Sequence, residues 1–281
     1  MNSSRVVLIT GCSSGIGKST ALHLQKAGWT VYATARKVKD LDELAAAGCR
    51  TLALDVCSEE SMVAAVAAIE AEHGAVGVLI NNAGYSQSGA LEALPMERVR
   101  AQFETNVFGM IRLCQLVLPG MRRQKWGKIV NISSMGGKLT FPGGGIYHAS
   151  KHAVEALSDA LRFEVKAFGV DVIVIQPGLI KTGFAEAVAT GMNFPDKIPE
   201  YAEFHKKVSQ ATKDVYEKGP LAPLGGVPED VARTIEKAIN AKSPRARYPV
   251  TWSADVLLAQ RRWMSDAMWD FFLKQNFPAP G

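Results

Sequence analysis

Short apolar runs rich in β-branched residues alternate with longer helical patterns along this chain. Six of the runs are predicted strands, each bounded by Gly, Asn, Asp or Pro: residues 5–10, 30–34, 51–54, 78–81, 128–132 and 171–175. Runs this continuously apolar fit a parallel sheet that helices cover on both faces, with right-handed crossovers between strands. The alternation therefore predicts an α/β fold built on a doubly wound parallel sheet.

The length of the chain fits a single domain over residues 1–281. With 281 residues and 47% hydrophobic composition it buries one substantial core. Helices are predicted over residues 58–73, 96–118 and 147–168, among others. Ligands of doubly wound, Rossmann-type sheets bind beyond the carboxyl ends of the strands. The loops expected to meet at such a site follow Thr10, Thr34, Asn81, Ile132 and Ile175.

Two segments interrupt the alternation. Residues 181–227 are irregular and rich in large apolar side chains, and we interpret them as a lid over an apolar substrate. These side chains are Phe184, Met192, Phe194, Tyr201, Phe204, Tyr216 and Leu224. In the C-terminal extension, 251–281, one helical face carries Leu257, Met264, Met268 and Phe271. We favour a core or dimer contact over a membrane-surface helix, because only Arg261 and Arg262 cluster there.

Composition argues against several classes of partner. The net charge of +5 is dispersed and lacks a basic stripe interleaved with aromatics, so no nucleic-acid partner is expected; an anionic cofactor would account for part of the excess. The four cysteines show no CxxC spacing, which favours reduced thiols over disulfides or zinc. No apolar run of about 18 residues predicts a membrane span. The first residues lack a signal peptide pattern, so a cytoplasmic location is expected.

A glycine loop separates the first predicted strand from the helical run at residues 18–27. Glycines permit a tight turn and a close backbone approach, while a helix N-terminus presents unpaired N–H groups to a pyrophosphate. An ordinary tight turn would also explain glycines, but the position between strand and helix favours a dinucleotide site. The residues expected to bind the cofactor here are Gly11, Ser13, Ser14, Gly15, Ile16 and Gly17.

The end of the second strand indicates which dinucleotide binds. An acidic residue there would bind the ribose 2′-hydroxyl of NAD, whereas an arginine suits the 2′-phosphate of NADP. The sequence ends this strand with Arg36 and no carboxylate, and Asp40 falls in the following loop. NADP(H) is therefore the predicted cofactor, with NAD(H) as the alternative. After the third strand, Asp55 and Val56 are expected to contact the adenine edge.

Tyr147 and Lys151 are four residues apart, which places them on one face of a helix. A phenol that exchanges a proton at neutral pH needs its phenolate stabilised by about 4 kcal/mol, and a neighbouring ammonium favours that charged form. Ser134 lies just beyond the fifth strand, where its hydroxyl could meet a substrate oxygen, and Ser133 competes for this role.

These motifs together resemble the short-chain dehydrogenase/reductase family. Thr10 to Gly17 matches its TGxxxGxG loop, Asn81 to Gly84 its NNAG motif, and Tyr147 to Lys151 its YxxxK motif. The PG motif and its downstream threonine match Pro177, Gly178 and Thr182. The resemblance implies a catalytic tetrad of Asn106, Ser134, Tyr147 and Lys151. It also implies cofactor contacts from Asn82, Ala83, Gly84, Pro177, Gly178, Ile180 and Thr182, and a homodimer or homotetramer.

In the tetrad that this resemblance implies, Tyr147 is the general acid/base and Ser134 orients and polarises the carbonyl. Lys151 lowers the pKa of the tyrosine and holds the nicotinamide ribose, and Asn106 anchors a water of the proton relay. The glycine loop, the VYATAR segment and the length beyond about 250 residues resemble the branch of 17-beta-hydroxysteroid and retinol dehydrogenases.

The expected activity is interconversion of a hydrophobic alcohol, steroid-, retinoid- or aryl-ketone-like, with its ketone or aldehyde. One alternative is a 3-oxoacyl thioester reductase or another reductase or dehydrogenase of small substrates such as sugar alcohols. Another is a protein that binds the nucleotide without catalysis, since a fold does not fix a function. A metal site at His148 and His152 is disfavoured because no HExxH motif or third ligand accompanies them, and such histidines are commonly on helix surfaces.

Overall fold

The strands of the computed structural model, which describes residues 5–192, 198–219 and 221–277, form one parallel sheet. Their order across the sheet is β3-β2-β1-β4-β5-β6-β7, so the chain reverses its direction of winding between β1 and β4. This is the doubly wound α/β fold that the sequence predicts. The strands are β1 (Val6–Ile9), β2 (Thr30–Ala35), β3 (Arg50–Ala53), β4 (Val78–Asn81), β5 (Gly127–Ile132), β6 (Val170–Pro177) and β7 (Arg247–Val250).

Helices follow the strands and complete the layers. The first six are α1 (Gly15–Lys26), α2 (Asp42–Ala46), α3 (Glu59–His73), α4 (Met96–Phe103), α5 (Gly109–Arg123) and α6 (Gly145–Val165). The others are α7 (Phe184–Gly191), α8 (Ala202–Glu217), α9 (Pro228–Asn240), α10 (Trp252–Trp263) and α11 (Asp266–Asn276). Among the residues described, no helix is both long enough and apolar enough to cross a bilayer.

The sheet is buried on both faces. Successive side chains of a strand point to opposite faces, and β1 shows this directly. Val7 and Ile9 pack with α1 and α9 on one face, while Val6 and Leu8 pack with α3, α5 and α6 on the other. All four of these side chains are at most 4% exposed, which explains why the run carries no polar alternation.

One strand was missed by the sequence analysis. β7 pairs with β6 at the edge of the sheet and contains Pro249, which has no N–H to donate to a ladder. A proline is tolerated there because an edge strand has only one neighbour. Because β7 is short and contains a proline, its sequence showed no strand pattern.

Three predictions of secondary structure need correction. Residues 96–118 are not one regular helix, because a π-helical turn at Glu104–Phe108 joins α4 to α5, which continues to Arg123. The segment 181–227 is more regular than predicted, since it contains α7 and the 16-residue α8. The helical face predicted in the C-terminal extension is divided between α10 and α11.

Candidate active site

The glycine loop between β1 and α1 has the backbone that its sequence predicts. Gly11 and Gly15 have positive φ angles of 71° and 57°, a region that glycine enters most readily. Gly17 has no room for a side chain, because a Cβ there would overlap the carbonyl oxygen of Gly11. Ser13 and Ser14 are exposed, and Ile16 is half-buried. The first turn of α1 is therefore open to an anionic ligand.

Asn82 and Thr10 hold the glycine loop against the loop that follows β4. The side-chain amide of Asn82 donates to the carbonyl oxygens of Thr10 (2.8 Å) and Gly11 (3.0 Å). In return, the hydroxyl of Thr10 accepts hydrogen bonds from the backbone N–H groups of Asn82 and Ala83. The NNAG segment thus fixes the conformation of the glycine loop. It has this structural role in addition to lying beside the cofactor cavity.

A cavity of about 590 Å³, open solvent at its mouth included, continues from this loop along the carboxyl ends of β1, β4, β5 and β6. We call it the cofactor cavity, and it brings together nine of the residues predicted for the site. These are Ile16, Gly84, Ser134, Tyr147, Lys151, Pro177, Gly178, Ile180 and Thr182. The methyl group of Thr182 lies near Gly15, so the loop after β6 meets the glycine loop. This arrangement fits a dinucleotide along the edge of the sheet.

The other predicted cofactor contacts lie nearer β2 and β3. Arg36 is exposed directly after β2, and Asp40 is exposed in a 3₁₀ turn, Val38–Leu41, so no carboxylate occupies the end of the strand. Asp55 is half-buried and its side chain accepts from the N–H of Cys57 at 3.0 Å, closing a local turn. Val56 is buried. Asp55 and Val56 are absent from the lining of the cofactor cavity as described.

Ser134, Tyr147 and Lys151 form a connected group. Ser134 lies two residues beyond β5, and its hydroxyl is beside the phenol of Tyr147, which belongs to the first turn of α6. One turn later on α6, Lys151 is buried and donates to the carbonyl oxygen of Ile132 at 2.8 Å. Its ammonium lies 5.8 Å from the centre of the Tyr147 ring. Ser133 is buried and lines only the cofactor cavity, so Ser134 alone faces both the cofactor and the neighbouring cleft.

The electrostatics of this group differ from the sequence prediction. Burial raises the pKa of Tyr147 to about 12, and the Ser134 hydrogen bond lowers it only in part. Burial also lowers the pKa of Lys151 to about 8, against the attraction of Glu155. For the protein groups alone the pKa of Tyr147 is therefore raised, because loss of solvent outweighs the contribution of Ser134, and the lowering of this pKa by the Lys151 ammonium stays a prediction. A phenol in this setting keeps its proton at neutral pH.

Asn106 occupies the π-helical turn between α4 and α5. Its amide donates to the backbone oxygen of Tyr85 (3.0 Å) and to the hydroxyl of Ser150 (3.1 Å), and its oxygen accepts from the N–H of Tyr85 (3.2 Å). A Cβ on Gly84 would lie 3.0 Å from that oxygen and 3.7 Å from the Lys151 ammonium. Asn106 is thus close to Lys151, and π-turns of this kind are frequent at functional sites.

A second cavity opens beside Tyr147, with a volume of about 1030 Å³ that includes solvent at its mouth. We call it the apolar cleft, since most of its wall is hydrocarbon. It is lined by Ser86, Ser88, Ser134, Met135, Gly136, Phe141, Pro142, Gly143, Gly144, Tyr147, His148, Leu179, Phe184, Val188, Met192, Thr212, Val215, Tyr216, Gly219, Leu221, Leu257, Phe272, Asn276 and Phe277. The cleft and the cofactor cavity share Ser134, Tyr147, Phe184 and Tyr216.

The residues predicted for the lid separate into groups. Phe184, Met192 and Tyr216 line the apolar cleft, and the Phe184 ring lies 5.5 Å from that of Tyr147. Tyr201 and Phe204 do not line the cleft, but they pack with Ala90 and Leu94 in the apolar cluster that also contains Met192. Leu224 is 36% exposed and is absent from the described lining of the cleft, while Phe194 lies outside the described residues.

The C-terminal extension also contributes to the cleft. Leu257, Phe272, Asn276 and Phe277 line it, and Trp269 stacks on Phe272 with ring centres 5.1 Å apart. Of the predicted helical face, Leu257 is buried, whereas Met268 and Phe271 are exposed to 53% and 65%. Only part of this helical face therefore packs in the core.

His148 was misread from the sequence. We treated it with His152 as a helix-surface histidine, which holds for the exposed His152. His148 is only 8% exposed and belongs to the wall of the apolar cleft. Its position next to Tyr147 gave no clear signal, because adjacent residues of a helix point in different directions. Within the described ranges, no three His, Cys, Asp or Glu residues are grouped as metal ligands would be.

Comparison with known proteins identifies relatives over nearly the whole chain. The short chain dehydrogenase family model matches residues 5–193. A 3-ketodihydrosphingosine reductase of Bacteroides thetaiotaomicron is 38% identical, over 96% of this chain and 97% of that protein. An NADPH-dependent 3-dehydrocapnine reductase of Ornithobacterium rhinotracheale is 37% identical over 88% of each chain. Human retinol dehydrogenase 8 is 34% identical, covering 86% of this chain and 80% of its own.

Solved structures share the fold. A short-chain dehydrogenase from Streptomyces avermitilis superposes with a TM-score of 0.77 at 32% identity, over 97% of this chain and 96% of that one. The closed form of a serine dehydrogenase complexed with NADP+ gives a TM-score of 0.75 at 25% identity, over 88% of this chain and 94% of that one. Proteins with this fold therefore include one that holds NADP+.

Proposed function

Because the chain belongs to the short-chain dehydrogenase family, we propose that it interconverts a hydrophobic ketone or aldehyde and the corresponding alcohol, with Tyr147 as general acid/base. It is an oxidoreductase of CH–OH groups, and its cofactor is NADP(H). The observation that carries the substrate class is the junction at which Ser134 and Tyr147 face both the cofactor cavity and a cleft walled by hydrocarbon.

Tyr147 and Ser134 have different roles in proton transfer. Tyr147 holds its proton at neutral pH, because burial raises its pKa, and it is placed to donate that proton to a carbonyl oxygen during reduction. The Ser134 hydroxyl lies beside Tyr147 and is placed to stabilise the same oxygen. When bound, the nicotinamide supplies or accepts the hydride, and its oxidised, positively charged form favours the phenolate.

Lys151 and Asn106 support this pair. The Lys151 ammonium lies at the wall of the cofactor cavity, where a ribose hydroxyl is the natural acceptor. Its bond to the Ile132 carbonyl fixes its position, and Asn106 holds the neighbouring Tyr85 and Ser150. Arg36 is free at the surface to contact the 2′-phosphate of NADP. The glycine loop and the start of α1 then receive the pyrophosphate.

The cleft favours a long or extended apolar substrate. Phe184, Val188 and Met192 form one side and Phe141, Leu257 and Phe272 another. Burial of hydrocarbon contributes about 25 cal/mol per Å², whereas a small polar substrate would lose its hydration here without many partners in return. The name of the Bacteroides relative suggests a 3-ketone on an alkyl chain, and that of the human relative suggests a retinoid. We favour the alkyl ketone because that relative matches more of both chains.

A competition among carbonyl compounds tests this function. Oxidation of NADPH is followed with 3-ketodihydrosphingosine, all-trans-retinal, a 17-ketosteroid and an acetoacetyl thioester. We expect the highest kcat/KM for the long-chain ketone and far lower values for the thioester. A preference for the thioester would replace our proposal by the acyl thioester reductase alternative. Tight binding of NADPH without turnover of any of them would favour a nucleotide-binding protein that lacks catalysis.

A further inference from the structure

The imidazole ring of His148 contributes to the wall of the apolar cleft. His148 is the residue after Tyr147 in the first turn of α6, it is 8% exposed, and it lines the same cleft wall. The centres of the two rings are 5.5 Å apart. Whatever occupies the cleft with its reacting carbonyl at Tyr147 therefore places its nearest substituents beside His148.

The orientation of the ring follows from the partner of Nδ1. This nitrogen lies 3.1 Å from the carbonyl oxygen of Gly136, and a carbonyl only accepts. Nδ1 therefore carries the proton of the neutral ring, and Nε2 is left as an acceptor. Burial lowers the pKa of His148 to about 4, with repulsion from His152 in the same direction, so the ring is neutral at physiological pH.

Packing holds the ring in this orientation. A Cβ on Gly144 would lie 2.7 Å from Nε2, and one on Gly136 would overlap Nδ1, so two glycines leave the space that the ring fills. Phe141 meets the ring edge-on with centres 5.9 Å apart. The acceptor is thus fixed before any substrate arrives, which reduces the entropic cost of binding to it.

Nε2 has no hydrogen-bond partner among the residues that the structure describes. A plain hydrocarbon in the cleft would displace water from this nitrogen and leave it unpaired, at a substantial cost. A substrate that carries a hydroxyl or amino group beside its carbonyl would satisfy it. The cleft wall is otherwise largely hydrocarbon at Met135, Phe141 and Leu179. In such a wall a single polar contact strongly distinguishes a ligand that can form it from one that cannot.

We propose that Nε2 of His148 accepts a hydrogen bond from a hydroxyl or amino group next to the reacting carbonyl, and so selects donor-bearing ketones over plain ones. This selection rests on the proposed function, since it needs the carbonyl to bind at Tyr147. It assigns His148 a role in specificity and none in proton transfer to the carbonyl oxygen.

The test compares three 3-ketones of equal chain length, with a 2-amino group, a 2-hydroxyl group or hydrogen at the adjacent carbon. For the native enzyme we expect kcat/KM to be about 10- to 100-fold higher with a donor-bearing ketone than with the plain one. His148→Phe removes the acceptor and is expected to abolish this ratio. His148→Gln offers an amide oxygen and is expected to restore part of it. The amino and hydroxyl substrates show which donor is preferred.

A matched control is His152→Phe, which changes an exposed histidine one turn further along α6 and is expected to keep the ratio. A merely structural role for His148 predicts that His148→Phe slows all three ketones by the same factor, and that result would overturn the proposal. Equal rates with the three ketones in the native enzyme would overturn it as well. In both cases the ketone reductase activity itself stands.

Binding provides a readout that does not need turnover. Calorimetry measures the affinity of the enzyme–NADP+ complex for a long-chain 2-amino-3-alcohol and for the matching plain 3-alcohol. The native protein is expected to bind the first about 10-fold more tightly, and His148→Phe to bind both alike. Equal affinities in the native protein would refute the role of His148, whereas absent turnover with unequal affinities would refute only the reductase function.

Discussion

The hydroxyl of Ser134 lies beside the phenol of Tyr147, between the loop that follows β5 and the first turn of α6. The two groups meet at the point where the cofactor cavity and the apolar cleft join. Ser134 caps a short 3₁₀ turn and Tyr147 belongs to a long helix, so local structure positions both of the donors that a carbonyl oxygen needs.

Tyr147→Phe removes the proton donor and keeps the ring. We expect kcat to fall at least 100-fold, within the usual range for loss of a general acid, while the dissociation constant for NADPH changes less than about threefold. Steady-state kinetics and a fluorescence titration of NADPH measure the two quantities. Tyr216→Phe, which removes a hydroxyl at the same junction, is the control, and a Tyr147 variant that kept most of its rate would exclude the acid/base role.

Arg36→Ser is expected to change cofactor preference. Hydrogen bonds to a charged group contribute about 1.5–3 kcal/mol, so kcat/KM for NADPH should fall about 10- to 100-fold. The value for NADH should stay unchanged, because that cofactor has no 2′-phosphate. Lys125→Asn removes one positive charge just before β5, at the amino ends of the strands, where a φ of 53° suits asparagine, and controls for overall charge. Equal losses with NADPH and NADH would show that Arg36 contacts something other than the 2′-phosphate.

Gly17→Ala is expected to disrupt the glycine loop. The added Cβ would overlap the Gly11 carbonyl oxygen, which is backbone and has little freedom to move. We expect cofactor affinity to fall more than 10-fold and the melting temperature to drop by several degrees. Gly183→Ala meets no atom within 4 Å and should leave both unchanged. Normal NADPH binding by Gly17→Ala would mean that the loop adapts to a side chain.

His148 predicts a pH dependence of stability. Its pKa is about 4 in the folded protein and near 6.5 in the unfolded chain, so between these values the unfolded state binds the additional proton. The free energy of unfolding therefore falls as the pH decreases from 6.5 to 4, by up to about 3 kcal/mol from this group. Urea titrations of the native protein and of His148→Phe should show a smaller decrease in the variant. Parallel pH profiles would contradict the shift.

The fold and the cofactor half of the site were predictable from sequence. The apolar runs specify which segments become parallel strands, and the parallel arrangement places their carboxyl ends at one edge. For that reason Gly11 lies close to Asn82, and Tyr147 and Lys151 lie close to Ser134. Spacing of four residues on a helix also gives the relation between Tyr147 and Lys151 correctly.

Other features depend on tertiary packing and left no clear local signal. The turn that holds Asn106 has one extra residue per turn, and nothing in the sequence around it distinguishes a π-turn from a regular helix. The burial that raises the pKa of Tyr147 comes from residues distant in sequence. His148 shows the same limit: its helix position was clear, but the residues that cover it, Phe141 and Gly144, belong to the preceding loop.

The two apolar clusters around the cleft are distinct from the two that cover the sheet. Side chains such as Met192 and Phe272 therefore vary without disturbing strand packing or the cofactor loops. In a chain organised in this way, most substitutions that alter substrate choice fall at positions other than those that carry the chemistry. Duplicated copies of its gene can therefore diverge toward new carbonyl compounds through changes in α7, α8 and α11 that spare Phe184 and Tyr216, while inheriting the reduction step intact.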